Sequence, residues 1–334
     1  MKSLKISGKL AMALEEVKIP EPQDGEVRIK VAYVGVCGSD LHYYYEGANG
    51  AFVVKEPLTP GHELSGTVDL DPLGQFSTGT RVTIHPARFG NSLPGIADRP
   101  HLWPQGSYLG SASTTPHTQG AMSDFMVVDR AMLRVIPEEL SLQGAALCEP
   151  LAVGLHAINV AGGVLGKRVL VSGSGPIGLL AIIAAKLLGA ASVTAADVLS
   201  GPLARAWALG ASEIVKVSET PLPGDTFDVV LECSGVPRAI SAALVAVRRA
   251  GIVVQVGMLG AGDQPIALAS LISKEVQFRG TFRFNTEIDD AIAMMAGNPF
   301  IEQVITHIFP LTDAKAGFAM AKNSEESGKV LIKL

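Results

Sequence analysis

The feature that most constrains the fold is a glycine-rich turn between an apolar strand and an apolar helix. The turn is formed by Gly173, Ser174, Gly175, Pro176, Ile177 and Gly178, directly after a β-branched run at 168–171. At this spacing Gly173 permits the tight turn, Gly175 lets the backbone approach a pyrophosphate, and Gly178 lets the helix pack closely on the strand. The helix N-terminus then offers free N–H groups and a positive dipole to phosphates. The pattern predicts a dinucleotide-binding βαβ unit.

Asp197 follows the next β-rich run, 192–196, at the distance expected of a ribose-binding carboxylate, about 20 residues after the turn. A carboxylate there accepts hydrogen bonds from ribose hydroxyls and repels a 2′-phosphate, which favours NAD over NADP. Asp197 could instead only cap a turn, and the sequence leaves both roles open.

The two halves of the chain differ in their hydrophobic patterns. Before Leu147, short β-rich runs (27–31, 64–68, 81–84 and 125–128) are broken by turn residues, and 89–116 is a long loop dense in Pro, Gly and Ser. After Gly166, predicted strands at 168–171, 192–196, 213–217, 227–232, 252–256 and 276–279 alternate with helices that end at Leu188 or span 202–209 and 239–249. This alternation predicts a parallel sheet with right-handed crossovers. The tail, 305–334, returns to short mixed elements, and we expect it to rejoin the first half.

Composition excludes several classes of partner. The 334 residues are 48% hydrophobic and 18% charged with a net charge of −5, and no basic stretch marks a nucleic-acid or anionic membrane surface. The longest apolar run follows the glycine turn and is interrupted by Lys186 and Gly189, so it predicts a buried helix rather than a membrane span. Three cysteines, Cys37, Cys148 and Cys233, are too few for a disulfide framework. With no leader-like N-terminal pattern, we expect a cytoplasmic protein in which Cys37 is a free thiol.

Four residues from separate parts of the chain could gather one metal ion. They are Cys37, the consecutive pair His62 and Glu63, and Glu149. Mixed sulfur, nitrogen and oxygen ligands suit zinc, and a site with three protein ligands leaves a position open for substrate. A cysteine alone is usually a small buried hydrophobe, and a His-Glu pair is often a satisfied polar pair. Their occurrence with a nucleotide-binding unit favours a catalytic zinc, because hydride transfer from an alcohol needs an electrophile beside the nicotinamide.

The residues after Cys37 suggest how a proton could leave such a site. Zinc would lower the pKa of a substrate hydroxyl, Ser39 could accept its proton, and His42 could relay the proton to water. Asp40 could orient a metal ligand. The alternatives are a helix N-cap for Ser39 and a solvated surface imidazole for His42.

Six segments, spread over nearly the whole chain, resemble the polyol branch of the zinc-dependent medium-chain dehydrogenases. They are Cys37-Gly38-Ser39-Asp40-Leu41-His42-Tyr43-Tyr44, Gly61-His62-Glu63, Tyr108-Leu109-Gly110-Ser111-Ala112, Pro116-His117, Glu149-Pro150-Leu151-Ala152-Val153 and Gly280-Thr281-Phe282-Arg283-Phe284. The resemblance implies an α/β protein with a GroES-like catalytic domain at 1–150, completed by 286–334, and a Rossmann domain at 151–285. It also implies a homodimer or homotetramer.

The resemblance implies a role for each matching residue. Zinc would be held by Cys37, His62 and Glu63, with Glu149 bound directly or through water. The substrate contacts would be Tyr43, Glu149, Arg283, Phe284 and, as a further pocket residue, His117. The cofactor groove would be lined by Ile177, Asp197, Val256, Gly257 and Met258.

Phe284 and Arg283 bear on the substrate class. Polyol dehydrogenases tend to have tyrosine at position 284, whereas idonate enzymes have phenylalanine, and Arg283 could pair with a carboxylate in a bidentate manner. The expected reaction is oxidation of L-idonate to 5-ketogluconate, with sorbitol or xylitol as alternative substrates. The chain has no cysteine between Cys37 and Cys148, so we expect one zinc per subunit and no four-cysteine structural zinc. A non-catalytic nucleotide-binding protein and a zinc-free reductase are less consistent with the ligand set.

Overall fold

The computed structural model describes residues 1–260 and 262–334. The strands are β1 Lys2–Gly8, β2 Ala11–Glu16, β3 Glu26–Gly35, β4 Ala48–Asn49, β5 Phe52–Val53, β6 Glu63–Leu70, β7 Arg81–Ile84, β8 Ala87–Arg88, β9 Ser107–Tyr108, β10 Phe125–Asp129, β11 Leu133–Val135, β12 Arg168–Ser172, β13 Ser192–Asp197, β14 Glu213–Lys216, β15 Phe227–Glu232, β16 Val247–Gln255, β17 Gln277–Gly280, β18 Ile305–Pro310 and β19 Lys329–Lys333. The α-helices are α1 Gly38–Glu46, α2 Leu142–Ala145, α3 Cys148–Val160, α4 Pro176–Leu187, α5 Ser200–Ala208, α6 Pro237–Ala246, α7 Ala269–Ser273, α8 Glu287–Gly297 and α9 Ala314–Lys322. Short 3₁₀ turns occur at Pro100–Leu102, Arg130–Met132, Pro299–Val304 and Leu311–Asp313.

The chain forms two compact units. The first contains Met1–Glu149, Ile288–Lys322 and Lys329–Leu334, and the second contains Pro150–Glu287 and Asn323–Gly328. No described helix is both long enough and apolar enough to cross a membrane.

The first unit is built around a seven-stranded sheet in the order β11-β7-β6-β3-β19-β18, with β10 also pairing with β3. Alternate residues of β3, including Val27, Ile29 and Val31, are buried in its core, as the period of a half-buried strand requires. At the end of β3, Gly35 pairs with Glu63 on one side and with Leu331 on the other. This register brings the segment after β3, the start of β6 and the start of β19 together.

The second unit is a six-stranded parallel sheet in the order β14-β13-β12-β15-β16-β17. The predicted parallel sheet is therefore confirmed. From β12 the chain adds β13 and β14 on one side of the sheet, and then β15, β16 and β17 on the other side. This is the arrangement of a doubly wound dinucleotide-binding domain. Because the strands are parallel, their carboxyl ends share one edge, where the loops that follow β12, β13, β15 and β16 meet.

Most predicted elements occur within a few residues of their predicted bounds, and β7 and β15 match them fully. The helix predicted at 239–249 is wrong at its end, because α6 stops at Ala246 and β16 begins at Val247. Val247 pairs with Phe227 in the parallel ladder, and Ala250 adopts a left-handed φ of 52° that no α-helix contains.

The predicted loop at 89–116 contains only one 3₁₀ turn and the short strand β9. This loop is held by packing and hydrogen bonds. The indole N–H of Trp103 donates to the carbonyl of Ile96 at 2.9 Å. A Cβ on Gly90 would lie 1.8 Å from the carbonyl oxygen of Pro104, so the two sides of the loop approach as closely as the backbone allows.

Candidate active site

Three of the predicted metal ligands lie together in the first unit. Cys37 follows β3, His62 immediately precedes β6 and Glu63 is the first residue of β6. Their donor atoms all lie within 4.8 Å of one another. His62 is 7% exposed and Glu63 is fully buried, while Cys37 is half-buried. Gly35 makes room for this cluster, since a Cβ there would lie 1.9 Å from a carboxylate oxygen of Glu63.

Asp40 ties the two ligand-bearing loops together. Its buried carboxylate accepts hydrogen bonds from the backbone N–H of Cys37 at 2.9 Å and from that of Gly61 at 3.0 Å. Burial raises the pKa of Asp40, a shift that the charge of His62 and these two hydrogen bonds oppose. Asp40 therefore fixes the backbone at Cys37 and just before His62, and these hydrogen bonds leave the thiol and the imidazole to the metal site.

Lys329 was not identified from the sequence, and its ammonium contacts both carboxylate oxygens of Glu63. Its ammonium lies 2.7 and 2.6 Å from the two carboxylate oxygens of Glu63 and also donates to the carbonyl of Val36 at 3.2 Å. Both side chains of the pair are buried. Burial lowers the pKa of Lys329, but the carboxylate of Glu63 and the thiol group of Cys37 outweigh burial and raise it.

Glu149, at the start of α3, is buried and joined to the cluster through Tyr108. The Tyr108 hydroxyl donates to a Glu149 oxygen at 2.5 Å, and the Tyr108 ring packs edge-on against His62 with ring centres 5.3 Å apart. Burial raises the pKa of Glu149, while the charge of His62 and the hydrogen bond from Tyr108 lower it. Tyr108 begins one of the six segments that carry the family resemblance, but nothing in that segment predicts its contact with Glu149.

The residues of the cluster fit a zinc ion. Thiolate, imidazole and carboxylate donors separated by up to 4.8 Å can be bridged by a metal with bonds of about 2.0–2.3 Å. Within residues 1–260 and 262–334, the buried Nδ1 of His62 has no hydrogen-bond partner. Burial lowers the pKa of His62, but the neighbouring side chains of Cys37, Glu149 and Asp40 raise it to about 10. The site thus favours an added positive charge.

Helix α1 leads from this cluster to solvent. Ser39 is half-buried in the first turn, and the helix N-cap is Cys37, so Ser39 is not the N-cap. His42 is exposed, and its Nδ1 lies 3.0 Å from a carboxylate oxygen of Glu46 one turn later. Both predicted relay residues are therefore on one helix, the first near the cluster and the second in solvent.

Two predicted substrate residues, Tyr43 and His117, have their polar atoms engaged within the protein. The Tyr43 side chain is buried in the core, where its hydroxyl accepts from the N–H of Ala112 at 3.1 Å and lies 3.3 Å from the Ser111 hydroxyl. His117 accepts from the N–H of Lys55 at 2.9 Å and donates through Nδ1 to a carbonyl at 2.7 Å. These contacts hold the loops around both residues, and the substrate roles of Tyr43 and His117 stay predictions.

In the second unit, the glycine turn adopts the geometry that its sequence predicts. Gly173 has a φ of 91°, and a Cβ on Gly178 would lie 1.9 Å from the carbonyl oxygen of Gly173. A Cβ on Gly175 would meet nothing within 4 Å, so this position faces open space. Pro176 is the first residue of α4, whose N-cap Gly175 offers no side-chain cap to the free N–H groups.

Asp197 ends β13 and contacts the glycine turn directly. One carboxylate oxygen accepts from the N–H of Ser174 at 2.8 Å, and the other accepts from the N–H of Leu199 at 3.0 Å. Asp197 therefore does cap a turn, and its half-buried carboxylate also lies at the edge of the sheet where a ribose would bind. Ile177, in the first turn of α4, lies at the same edge.

Glu232, which the sequence did not single out, organises the neighbouring loops at this edge. Its buried carboxylate accepts from the N–H groups of Ser234 at 3.0 Å and Gly235 at 2.9 Å, and from the amide of Gln255 at 2.6 Å. Its carbonyl accepts from the N–H groups of Val256 and Gly257, both at 2.8 Å. Glu232 thus fixes the loop that carries the predicted cofactor residues Val256, Gly257 and the exposed Met258.

Arg283 and Phe284 follow β17 in the second unit. Phe284 is fully buried, whereas Arg283 is half-buried and stacks its guanidinium over the ring of Phe282 at 4.6 Å. Arg283 has a φ of 54°, in the left-handed region.

The sequence and fold match known dehydrogenases over nearly their whole length. Residues 23–138 match the alcohol dehydrogenase GroES-like domain, and residues 176–297 match the zinc-binding dehydrogenase domain. The chain is 36% identical to sorbitol dehydrogenase of Bos taurus, covering 96% of this chain and 92% of the relative. It is 33% identical to L-idonate 5-dehydrogenase (NAD(P)(+)) of Escherichia coli (strain K12), covering 97% of this chain and 96% of that relative. The crystal structure of L-idonate 5-dehydrogenase from Escherichia coli superposes with a TM-score of 0.94 at 32% identity, covering 100% of this chain and 98% of that one.

A GroES-like domain combined with a Rossmann domain, as predicted, defines a zinc-binding alcohol dehydrogenase. The chain belongs to the zinc-dependent medium-chain dehydrogenases, in the polyol branch with the sorbitol and L-idonate dehydrogenases. It is therefore an oxidoreductase that acts on small alcohols.

Proposed function

We propose that this chain oxidises a secondary alcohol of a sugar acid to a ketone, with NAD as hydride acceptor and one zinc ion. The proposed substrate is L-idonate, with 5-ketogluconate as the product of oxidation or the substrate of the reverse reaction. The observation that carries the proposal is the buried cluster of Cys37, His62 and Glu63, in a chain that matches L-idonate 5-dehydrogenase over nearly its full length.

The metal would be held by Cys37, His62 and Glu63, with Glu149 binding directly or through water. A zinc ion bound there supplies Lewis acidity, which lowers the pKa of a substrate hydroxyl and polarises the product carbonyl. The protein's own groups set up this site: Asp40 fixes the two ligand loops, and Lys329 holds the carboxylate of Glu63 in place.

The proton of the substrate hydroxyl would leave along α1. Ser39 accepts it, and His42 passes it to water, because the first residue is half-buried near the cluster and the second is exposed. Glu46 supports this role, since its carboxylate lies 3.0 Å from Nδ1 of His42 and orients the imidazole ring.

NAD would bind at the edge of the parallel sheet. The open space at Gly175 and the uncapped N-terminus of α4 suit a pyrophosphate. The carboxylate of Asp197 would accept from the ribose hydroxyls and disfavour a 2′-phosphate, with Ile177 and the segment 256–258 lining the groove. The proposed preference for NAD over NADP depends on this carboxylate of Asp197.

Arg283 would pair with the carboxylate of the sugar acid, and the buried Phe284 would fix the segment that carries Arg283. Sorbitol or xylitol oxidation is the second candidate, which the identity to bovine sorbitol dehydrogenase favours. We further infer a homodimer or homotetramer formed through the Rossmann sheet, whose edge strand β17 exposes Phe278. Light scattering on the purified protein tests this assembly.

The substrate proposal is tested by NADH formation with the zinc-loaded enzyme. L-Idonate, D-gluconate, sorbitol, xylitol and a simple secondary alcohol are compared, with NADP as a parallel cofactor. Turnover confined to L-idonate with NAD supports the sugar-acid proposal. Turnover of sorbitol or xylitol instead would assign the chain to the polyol enzymes, and a preference for NADP would refute the role given to Asp197.

A further inference from the structure

The segment between β17 and α8 presents Arg283 from an anchored turn. Its neighbours face opposite ways: Phe284 is 1% exposed and Phe282 is 38% exposed. The guanidinium of Arg283 lies over the Phe282 ring, so both side chains are on the outer side of the turn. The burial of Phe284 fixes where the segment sits on the unit.

The backbone of Arg283 is in a conformation that must be held by its surroundings. Its φ of 54° is in the left-handed region, which is unfavourable for a residue with a Cβ. Such conformations persist where neighbouring contacts determine them, and they are frequent at binding sites.

Glu287 anchors the backbone two residues beyond Arg283. It is the first residue of α8, and one oxygen of its buried carboxylate accepts a hydrogen bond from the backbone N–H of Asn285 at 2.7 Å. This bond ties Asn285 to the start of α8, so it restricts the backbone that connects Arg283 to the helix.

The other oxygen of Glu287 is held from α3. Nδ1 of His156 lies 2.8 Å from it, and the amide of Asn159 donates to it at 3.0 Å. Burial raises the pKa of Glu287, but the hydrogen bonds from these two side chains lower it to about 2, so the carboxylate is ionised near neutral pH. An ionised, buried carboxylate with three partners is a rigid anchor, because losing any partner leaves a desolvated charge.

We propose that Glu287, clamped by His156 and Asn159, is a positioning residue that presents Arg283 to the carboxylate of the substrate. The inference rests on the proposed function, in which Arg283 binds that carboxylate, and it adds the group that sets the geometry. Rigid presentation matters here because a guanidinium recognises a carboxylate through two parallel hydrogen bonds.

The test uses two substrates that differ only in the carboxylate. L-Iditol is L-idonate with its carboxylate replaced by a hydroxymethyl group, so the ratio of their KM values isolates the contribution of the carboxylate. Steady-state kinetics are measured on the zinc-loaded enzyme for the wild type, Arg283→Met, Glu287→Gln and the double variant. If only one compound is turned over, the inhibition constant of the other against it replaces its KM.

Arg283→Met is expected to raise the KM for L-idonate roughly 10- to 100-fold, the range for one charge-assisted hydrogen-bonded pair. Glu287→Gln is expected to raise it about 3- to 10-fold, with kcat, the KM for L-iditol and the KM for NAD each changed less than about twofold. The double variant should be no worse than Arg283→Met, because Glu287 acts through Arg283. Asn159→Ala removes one of the hydrogen-bond donors to Glu287, so it should raise the KM for L-idonate by less than Glu287→Gln does.

The outcomes separate the inference from the proposed function. If Arg283→Met leaves the L-idonate to L-iditol ratio unchanged, the carboxylate role of Arg283 fails, and the inference falls with it. If Arg283→Met raises the ratio while Glu287→Gln and Asn159→Ala do not, only the inference is overturned. If Glu287→Gln changes the KM values for L-idonate and L-iditol by the same factor, Glu287 merely stabilises the fold. If Glu287→Gln does not fold, Asn159→Ala decides between these outcomes.

Discussion

Replacing Lys329 with methionine tests the buried ion pair beside the proposed metal ligands. The ammonium contacts both oxygens of Glu63 at 2.6 and 2.7 Å, and both side chains are buried. At a charge separation of about 3 Å and an effective dielectric constant near 20, the attraction is about 5 kcal/mol. Removing one partner of a buried pair costs about 3–5 kcal/mol, because the other charge remains desolvated. We therefore expect the free energy of unfolding of the metal-free protein to fall by about 3–5 kcal/mol on Lys329→Met.

Denaturant unfolding of the metal-free protein measures this loss. The chain has two tryptophans, and Trp103 reports on the first unit once exposed Trp207 is replaced by phenylalanine. Adding Glu63→Gln to Lys329→Met should recover most of the loss, because neither position of the pair then holds an unpaired buried charge.

Arg88→Met is the matched control, because it breaks the exposed pair with Asp129. It should cost less than about 1 kcal/mol. A loss below about 1 kcal/mol for Lys329→Met as well would refute the reasoning.

Three further predictions concern the metal, the cofactor and acid stability. Cys37→Ser should lose zinc and activity while NADH binding, measured by fluorescence titration, is unchanged; retained zinc and activity would contradict the ligand assignment. Asp197→Ser should raise the Kd for NAD more than that for NADP, and it should lower the Tm through the lost hydrogen bonds to Ser174 and Leu199; equal Kd changes would contradict the ribose role. The pKa of Glu287 is about 2 in the folded protein, so its contribution to stability is present above its unfolded value of about 4.3 and is lost as the pH falls toward 2. Glu287→Gln should therefore flatten the pH dependence of unfolding between about pH 4.5 and 2, and an unchanged slope would contradict that pKa.

The nucleotide-binding turn could be predicted because each glycine has a local reason. Gly173 needs a positive φ, and Gly178 needs room against the strand, and both requirements are visible in the spacing alone. The parallel sheet followed from the alternation of strands and helices. The end of α6 could not be placed, because Val247 belongs to a strand only through its pairing with Phe227.

The contacts of the candidate site were predicted less completely than its residues. Lys329 and Glu63 are 266 residues apart, and the registers of β6 and β19 on the two sides of β3 bring them together. The burial of Tyr43 could have been found, since Asp40, Tyr43 and Tyr44 share one face of α1 at helical spacing. Nothing local indicates that the ring nitrogens of His117 are both used by neighbouring loops.

The proposed chemistry requires Cys37 to be a ligand of a metal at the reaction centre. Titration of the metal-free protein with Co²⁺ tests it most directly, because a thiolate bound to cobalt gives a charge-transfer absorption. We expect a band that saturates at about one cobalt ion per chain and is absent in Cys37→Ser. The ligand-field absorption of the metal should also change when L-idonate is added with NADH. A band that persists in Cys37→Ser, or no thiolate band in the wild type, would show that Cys37 does not ligate the metal.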